Sequence, residues 1–398
     1  MSNVNLWDGK KVDSLLEKMD NLIDAVKPSM SDYNLSDYKD IAKCVRDGNG
    51  DKIPNGHVFS VTHAVYGDMD FVVRRKNVDK VVGDPNRPTL TIQSKYIISA
   101  NAGTSASTFQ YDRPEAFYSV ETTIPANTVC KFTLASGYNN WAAGTYNFTA
   151  SADIAVGSKL GIDHYADTAL TSCKVNVYAN SKATSTSAQY TISSGDGSAT
   201  LDLGTWATED CNHPQRISYG SNNGAQANIF QWLNGDSGDS YMDSIFVPAT
   251  KFDMMSTSYT SLKGFLGGFP DDFRDCLGLC EIHNITNNVF EFDGYTTNSQ
   301  YTHQGYFWLP SRKEIYGTNE TANEASEVQF PYYQYVGTTN ADKLGYAKGA
   351  TSATTEWLRT PYAGDATGVR LVYAGYGGAL DGVYASSSYG VRPLAIIS

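Results

Sequence analysis

The side chains best suited to metal ligation and nucleophilic chemistry are six histidines, His57, His63, His164, His213, His283 and His303, and six cysteines, Cys44, Cys130, Cys173, Cys211, Cys276 and Cys280. Their spacing decides whether such chemistry is encoded. No HExxH pair, GxSxG elbow or Walker A loop occurs, so zinc hydrolysis, acyl transfer by serine and P-loop phosphate binding have no motif here. The CxxxC spacing of Cys276 and Cys280 fits neither a zinc ribbon nor a thioredoxin motif. The stretch DDFRDCLGLC reads as a helix with two inward thiols, and most of the cysteines as small buried apolar residues. Acidic pairs at Asp236/Asp239 and Asp271/Asp272 offer oxygen ligands for calcium, but a loop turn and a helix N-terminus are the commoner settings for such pairs. The expectation is therefore no catalytic centre, no metal and no cofactor.

A different chemistry is written near the C-terminus. Between Thr360 and Tyr389, small residues alternate with chemically unlike ones, and tyrosine recurs. Tyrosine offers a large amphipathic contact area at little cost in rotamer entropy, while Ser, Gly and Asp supply adaptable polar contacts. Such a mixture suits recognition. Tyr373, Tyr376, Tyr384 and Arg370 are the natural anchors.

The segments HPQRISYGSNNGAQANIFQWLN, GFLGGFPDDF, GYFWLPSRKEIYG, EWLRTP and YGVRPLAII surround that stretch. Together they resemble the variable proteins of diversity-generating retroelements, in particular a phage-associated group with a C-type lectin fold related to the formylglycine-generating-enzyme branch. The resemblance covers about Tyr38 to Arg75 and Asn212 to Ser398. It implies that the segment between WLRTP and GVRP is rewritten by a reverse transcriptase that miscopies adenines, so that Asn codons become many residues but never Lys, Glu, Gln, Met or Trp. Thr360 to Pro393 contains none of these five, where roughly four are expected at the whole-chain frequency. The candidate variable, ligand-binding positions that follow are Tyr362, Asp365, Thr367, Gly368, Arg370, Leu371, Tyr373, Ala374, Tyr376, Asp381, Gly382, Val383, Tyr384, Ser386, Ser387 and Tyr389. The EPN and WND signatures of sugar-binding C-type lectins are missing, and nothing around Cys276 and Cys280 matches the active-site sequence of the enzyme branch.

Elements must hold this surface in place. Trp308, Trp357, Leu358, Val391, Leu394, Ile396 and Ile397 read as core, with Arg359 and Arg392 as framework donors to carbonyls or carboxylates. Apolar residues recur at three, four and seven from Val12 to Val26 until Pro28 stops them, a helix that either docks on its own domain or joins a short oligomerising bundle. Ser36 to Asp47 reads as a second helix ending at Gly48, and Ala225 to Leu233 as a third. Alternation through Phe59, Val61 and Ala64, a Gly67-Asp68 turn and the run Phe71 to Val73 predict a hairpin. The Ser- and Thr-rich stretch that follows reads as short alternating strands of a sandwich or barrel.

The expected fold class is α+β: a C-type lectin fold with an N-terminal helix and an inserted all-β domain. Its parts are a helix over residues 1–30, a first lectin-like part over 31–84, the insert over 85–204 and a second lectin-like part over 205–398, with the variable region at about 360–389. The net charge of -12 and scattered Lys and Arg argue against nucleic-acid binding, and no uncharged run is long enough to span a bilayer. No signal-peptide core leads the chain, which suits a virion protein made in the host cytoplasm and released by lysis. The expected role is adhesion by a phage tail-tip protein, as a possible homotrimer beside other virion proteins, to a host-surface protein or glycan. The alternatives are an enzyme of the formylglycine-generating type and a structural virion component.

Overall fold

The computed structural model describes residues 29–98, 109–110, 117–134, 143–163, 170–179, 186–206, 227–235, 264–285, 300–320, 327–362, 368–385 and 387–398, together with Lys18. The expected helix over Val12–Val26 lies outside them but for Lys18, which is helical.

A five-stranded sheet forms the centre of the body. Its order is Val58–His63, Gly67–Lys76, Leu90–Ser94, Leu394–Ile397, Leu277–Gly278, with every neighbouring pair antiparallel. The inner strands are buried on both faces, so successive side chains serve two cores. Leu394 and Ile396 pack with Trp308, Leu358 and Val372, whereas Ala395 and Ile397 pack with Phe71, Ile92 and Trp357.

The predicted hairpin forms with its turn slightly earlier than expected: His63 pairs with Gly67, and the third inward side chain is His63 while Ala64 is exposed. In the second strand Val73 pairs with Ile92 and Arg75 with Thr91, which leaves Arg74 as an extra residue. A bulge of this kind turns two successive side chains the same way. Arg74 accordingly donates to Gln93 (2.7 Å) and lies over the Tyr332 and Tyr333 rings, while Arg75 lies over Phe330 and donates to Val328 O (2.8 Å).

The helices are short. Tyr38–Arg46 starts on an Asp37 N-cap that accepts from Lys39 N (2.9 Å), buries Ile41, Ala42, Cys44 and Val45, and stops before Gly48 at φ 76°. Asn228–Asn234, Asp271–Arg274, Arg312–Tyr316 and Pro331–Tyr335 span about two turns or fewer. The expectation of an α+β C-type lectin fold led by a helix is therefore corrected: the molecule is mainly β, built from several antiparallel sheets with few helices. Among the described residues the patterns over Ser36–Asp47 and Ala225–Leu233 give the short helices Tyr38–Arg46 and Asn228–Asn234, and a helical pattern is cut short where strand-forming residues follow. DDFRDCLGLC shows this directly, since its helix covers only Asp271–Arg274 and Cys280 opens the strand Cys280–Ile285.

Residues 117–206 build two four-stranded sheets. One runs Ala188–Thr191, Lys174–Tyr178, Lys159–Asp163, Phe117–Ser119, and the other Ser193–Ser194, Gly144–Thr149, Val129–Leu134, Leu201–Trp206. They enclose a core of their own with Phe132, Phe148, Leu160, Val175, Tyr190 and Trp206. The expected start of the insert at residue 85 falls too early, because Leu90–Ser94 lies in the middle of the five-stranded sheet with all five residues buried. A strand covered on both faces has no alternation to betray it.

Candidate ligand-binding surface

Glu356–Pro361, Gly368–Tyr373 and Ala379–Tyr384 form a three-stranded antiparallel sheet in that order. Residues directly opposed across antiparallel strands share a face. Gly368, Arg370 and Val372 thus lie with Tyr384, Gly382 and Leu380 on one face, and Val369, Leu371 and Tyr373 with Val383, Asp381 and Ala379 on the other. The candidate positions are divided between two sides of one hairpin.

On the first face Tyr362 lies flat against the hairpin. A Cβ at Gly368 would stand 3.0 Å from Tyr362 Cβ, and one at Gly382 3.2 Å from its ring, so the two glycines let the ring pack this closely. Arg370 sits 4.1 Å from the ring centroid and donates to both oxygens of Glu320 at 2.7 Å, and Glu320 also pairs with Arg312. Stacking on the ring and the bidentate pair fix the guanidinium in one orientation. Tyr362 and Tyr384 remain 36% and 43% exposed.

The second face and the tip carry the remaining tyrosines. Tyr373 and Tyr376 meet edge to face at 4.7 Å, and Tyr376 is 67% exposed on the short turn Ala374–Tyr376. Tyr389 packs on Trp357 at 5.1 Å; burial, then its neighbours Tyr373 and Asp381, push its phenol pKa up. Val383, Ala374, Asp381 and Ser387 are half-buried. Leu371 is fully buried in the core and Gly368 is covered, so neither presents a side chain to a ligand. Asp365, Thr367 and Ser386 lie outside the described residues.

The frame beneath is ionic as well as apolar. Arg359 donates to Leu309 O (2.7 Å) and Glu314 Oε2 (2.6 Å) and pairs with Glu327, while Arg75 pairs with Asp79 and Glu314. Arg392 donates from Nε to Glu356 (2.5 Å) and from Nη2 to Lys343 O (3.0 Å). Burial works against both guanidinium charges, and the adjoining carboxylates more than offset it, so their pKa values stand above the ordinary arginine value. Trp308 and Trp357 are buried in the two cores. The partner acids Glu314, Glu320, Glu327 and Glu356 escaped sequence reading. One signal was present: Ser311 and Glu314 form a capping box, with Ser311 N donating to Glu314 (2.7 Å) and Glu314 N to Ser311 Oγ (3.1 Å).

The thiols of Cys276 and Cys280 are free and buried, and burial pushes both upward in pKa, away from the thiolate a nucleophile needs. His63 stands between Phe265 and Phe269, and Asp271 and Asp272 occupy the first turn of a short helix, with Asp272 accepting from Tyr38 Oη (2.7 Å) and Lys39 (2.6 Å). Asp236 and Asp239 lie outside the described residues. Among the described residues no three of His, Cys, Asp or Glu gather as metal ligands, and no helix is long and apolar enough to cross a membrane.

Residues 207–398 match a domain of unknown function (DUF6273). The match begins directly after Trp206, the last residue of the second insert sheet, and contains the whole three-stranded sheet and its frame. No curated protein matches the chain, and no solved structure does.

Proposed function

We propose that the protein is a binding protein acting through its C-terminal three-stranded sheet, which meets a host-surface protein or glycan from the tip of a phage particle, and that the surface is rewritten as in the variable proteins of diversity-generating retroelements. The observation carrying this reading is the exposure of Tyr376 and Tyr384 on one hairpin and of Tyr362 against it. Exposed tyrosines on a rigid support give contact area without an ordering cost. The support is rigid because Arg359 and Arg392 are held by buried carboxylates, and none of these frame residues is a candidate variable position. Side chains on the hairpin can therefore change while the strands stay in place. Several weak contacts would be multiplied by a trimer of chains attached to other virion proteins through the N-terminal segment.

Copies of this gene from several isolates test the reading. Substitutions concentrated at the exposed and half-buried positions from Tyr362 to Tyr389, with Leu371, Gly368 and Gly382 held nearly constant, are the expected outcome. An even spread of changes along the chain would count against it. In a binding assay with labelled protein and host cells, Tyr362→Ala combined with Tyr384→Ala should weaken attachment at least about tenfold without lowering the melting temperature. Unchanged attachment would remove this surface from the proposal.

A further inference from the structure

Asp381 is a carboxylate on the core side of the hairpin. It stands opposite Leu371, which is fully buried, and next along that face is Val383, which packs on the main core. That face ordinarily takes apolar side chains. Other carboxylates near the sheet, those of Glu314, Glu320, Glu327 and Glu356, each meet an arginine. Asp381 is half-buried, accepts from Gly382 N (2.8 Å), and has no ion-pair partner among the described residues.

Tyr373 is its diagonal neighbour on the same face of the hairpin. The Tyr373 and Tyr376 rings, 4.7 Å apart and inclined at 68°, make two walls of a corner. Tyr389 packs on Trp357, which pairs with Leu371, and Leu371 pairs with Asp381, so the three strands bring Tyr389 and Asp381 to the same face. Aromatic faces carry negative quadrupole density, and the carboxylate adds a full charge beside them.

We propose that Tyr373, Tyr376, Asp381 and Tyr389 form a recognition site for an ammonium group on the ligand, an inference that rests on reading this sheet as a binding surface. A lysine side chain and a choline headgroup both carry that group. A competing explanation is that Asp381 only guards an edge strand, since inward-pointing charges keep sheet edges from pairing with one another.

The full chain titrated with tetramethylammonium, with butylammonium and with the neutral 2,2-dimethylpropanol separates these, with the tyrosine ring signals followed by NMR. The expected result is a saturable millimolar response to an ammonium and none to the alcohol, weakened about tenfold in Asp381→Asn and in Tyr376→Ala. Tighter binding of tetramethylammonium points to a choline-type source, and of butylammonium to a lysine-type one. No saturable response, an equal response to the alcohol, or an Asp381→Asn variant that self-associates while binding ammonium as before would overturn the proposal. Tyr362 and Tyr384, on the other face, carry the cell-attachment test. A missing ammonium site with attachment still sensitive to those two residues refutes this inference alone; insensitivity of attachment to them refutes the broader reading.

Discussion

Arg392 and Glu356 are 4% and 0% exposed, and each is the other's charge partner. Removing the arginine leaves a buried carboxylate uncompensated, so Arg392→Leu should cost about 3–5 kcal/mol in urea unfolding, with much of it recovered in Arg392→Leu/Glu356→Leu. Arg370→Ala, where Arg312 still meets the buried Glu320, should cost less, about 1.5–3 kcal/mol. A similar cost for both would erase the distinction between frame and display. His63 gives a second residue-scale test. Burial among Phe265, Phe269 and Tyr66 lowers its pKa to about 4 from the ordinary 6.5. The unfolded chain takes up this proton as pH falls below 6.5 while the folded chain does not until about 4. The neutral ring's contribution is thus complete above about pH 6.5 and is lost between there and pH 4, by about 3 kcal/mol relative to a His63→Leu variant. A pH profile identical in the variant would show that His63 does not titrate this way. The sequence made Arg359 and Arg392 legible as donors because each sits in a short motif. Their partners were not legible, since Glu314 lies 45 residues from Arg359 and Glu356 lies 36 from Arg392, and no spacing rule links such pairs.

At the scale of the element, the hairpin depends on its turn. The chain reverses through Ala374–Tyr376, then Gly377 at φ 63° and Gly378 at φ 86°. A Cβ at Gly377 meets open space, whereas one at Gly378 would stand 2.0 Å from Asn340 O. Gly377→Asn should be tolerated within about 1 kcal/mol, and Gly378→Ala should cost about 3 kcal/mol or more, visible as faster hydrogen exchange along Gly368–Tyr373. Equal tolerance would mean the turn is not packed against the Asn340 segment. The strands on either side were hard to read in sequence for a physical reason. Polar, aromatic and glycine residues occupy both faces and interrupt the period-two pattern that marks a half-buried strand. The insert strands escaped this problem: VCKFTL alternates cleanly, with Cys130, Phe132 and Leu134 inward. Helices misled in the opposite sense, because a correct local pattern over Tyr38–Arg46 says nothing of how many antiparallel sheets the rest of the chain builds.

Across the whole molecule, the last strand closes the body. Leu394–Ile397 lies between Leu90–Ser94 and Leu277–Gly278, so the segment that follows the C-terminal hairpin is locked into the central sheet by residues from distant parts of the chain. The insert core draws on residues within 118–206 only and shares no member with the two body cores. Two cores without common side chains should unfold as separate cooperative units. Calorimetry of the intact protein should therefore resolve two transitions. Ile396→Asp, which forces a charge into a fully buried position beside Leu394, should abolish or greatly lower the body transition and leave the other where it was. Phe132→Ala, which opens a cavity beneath Trp206, should lower the insert transition alone, by about 3–5 kcal/mol. A single transition that both variants shift would instead mean that the insert braces the body. The stability of the C-terminal hairpin would then depend on the insert, and changes on that hairpin would be constrained by a unit that shares none of its core.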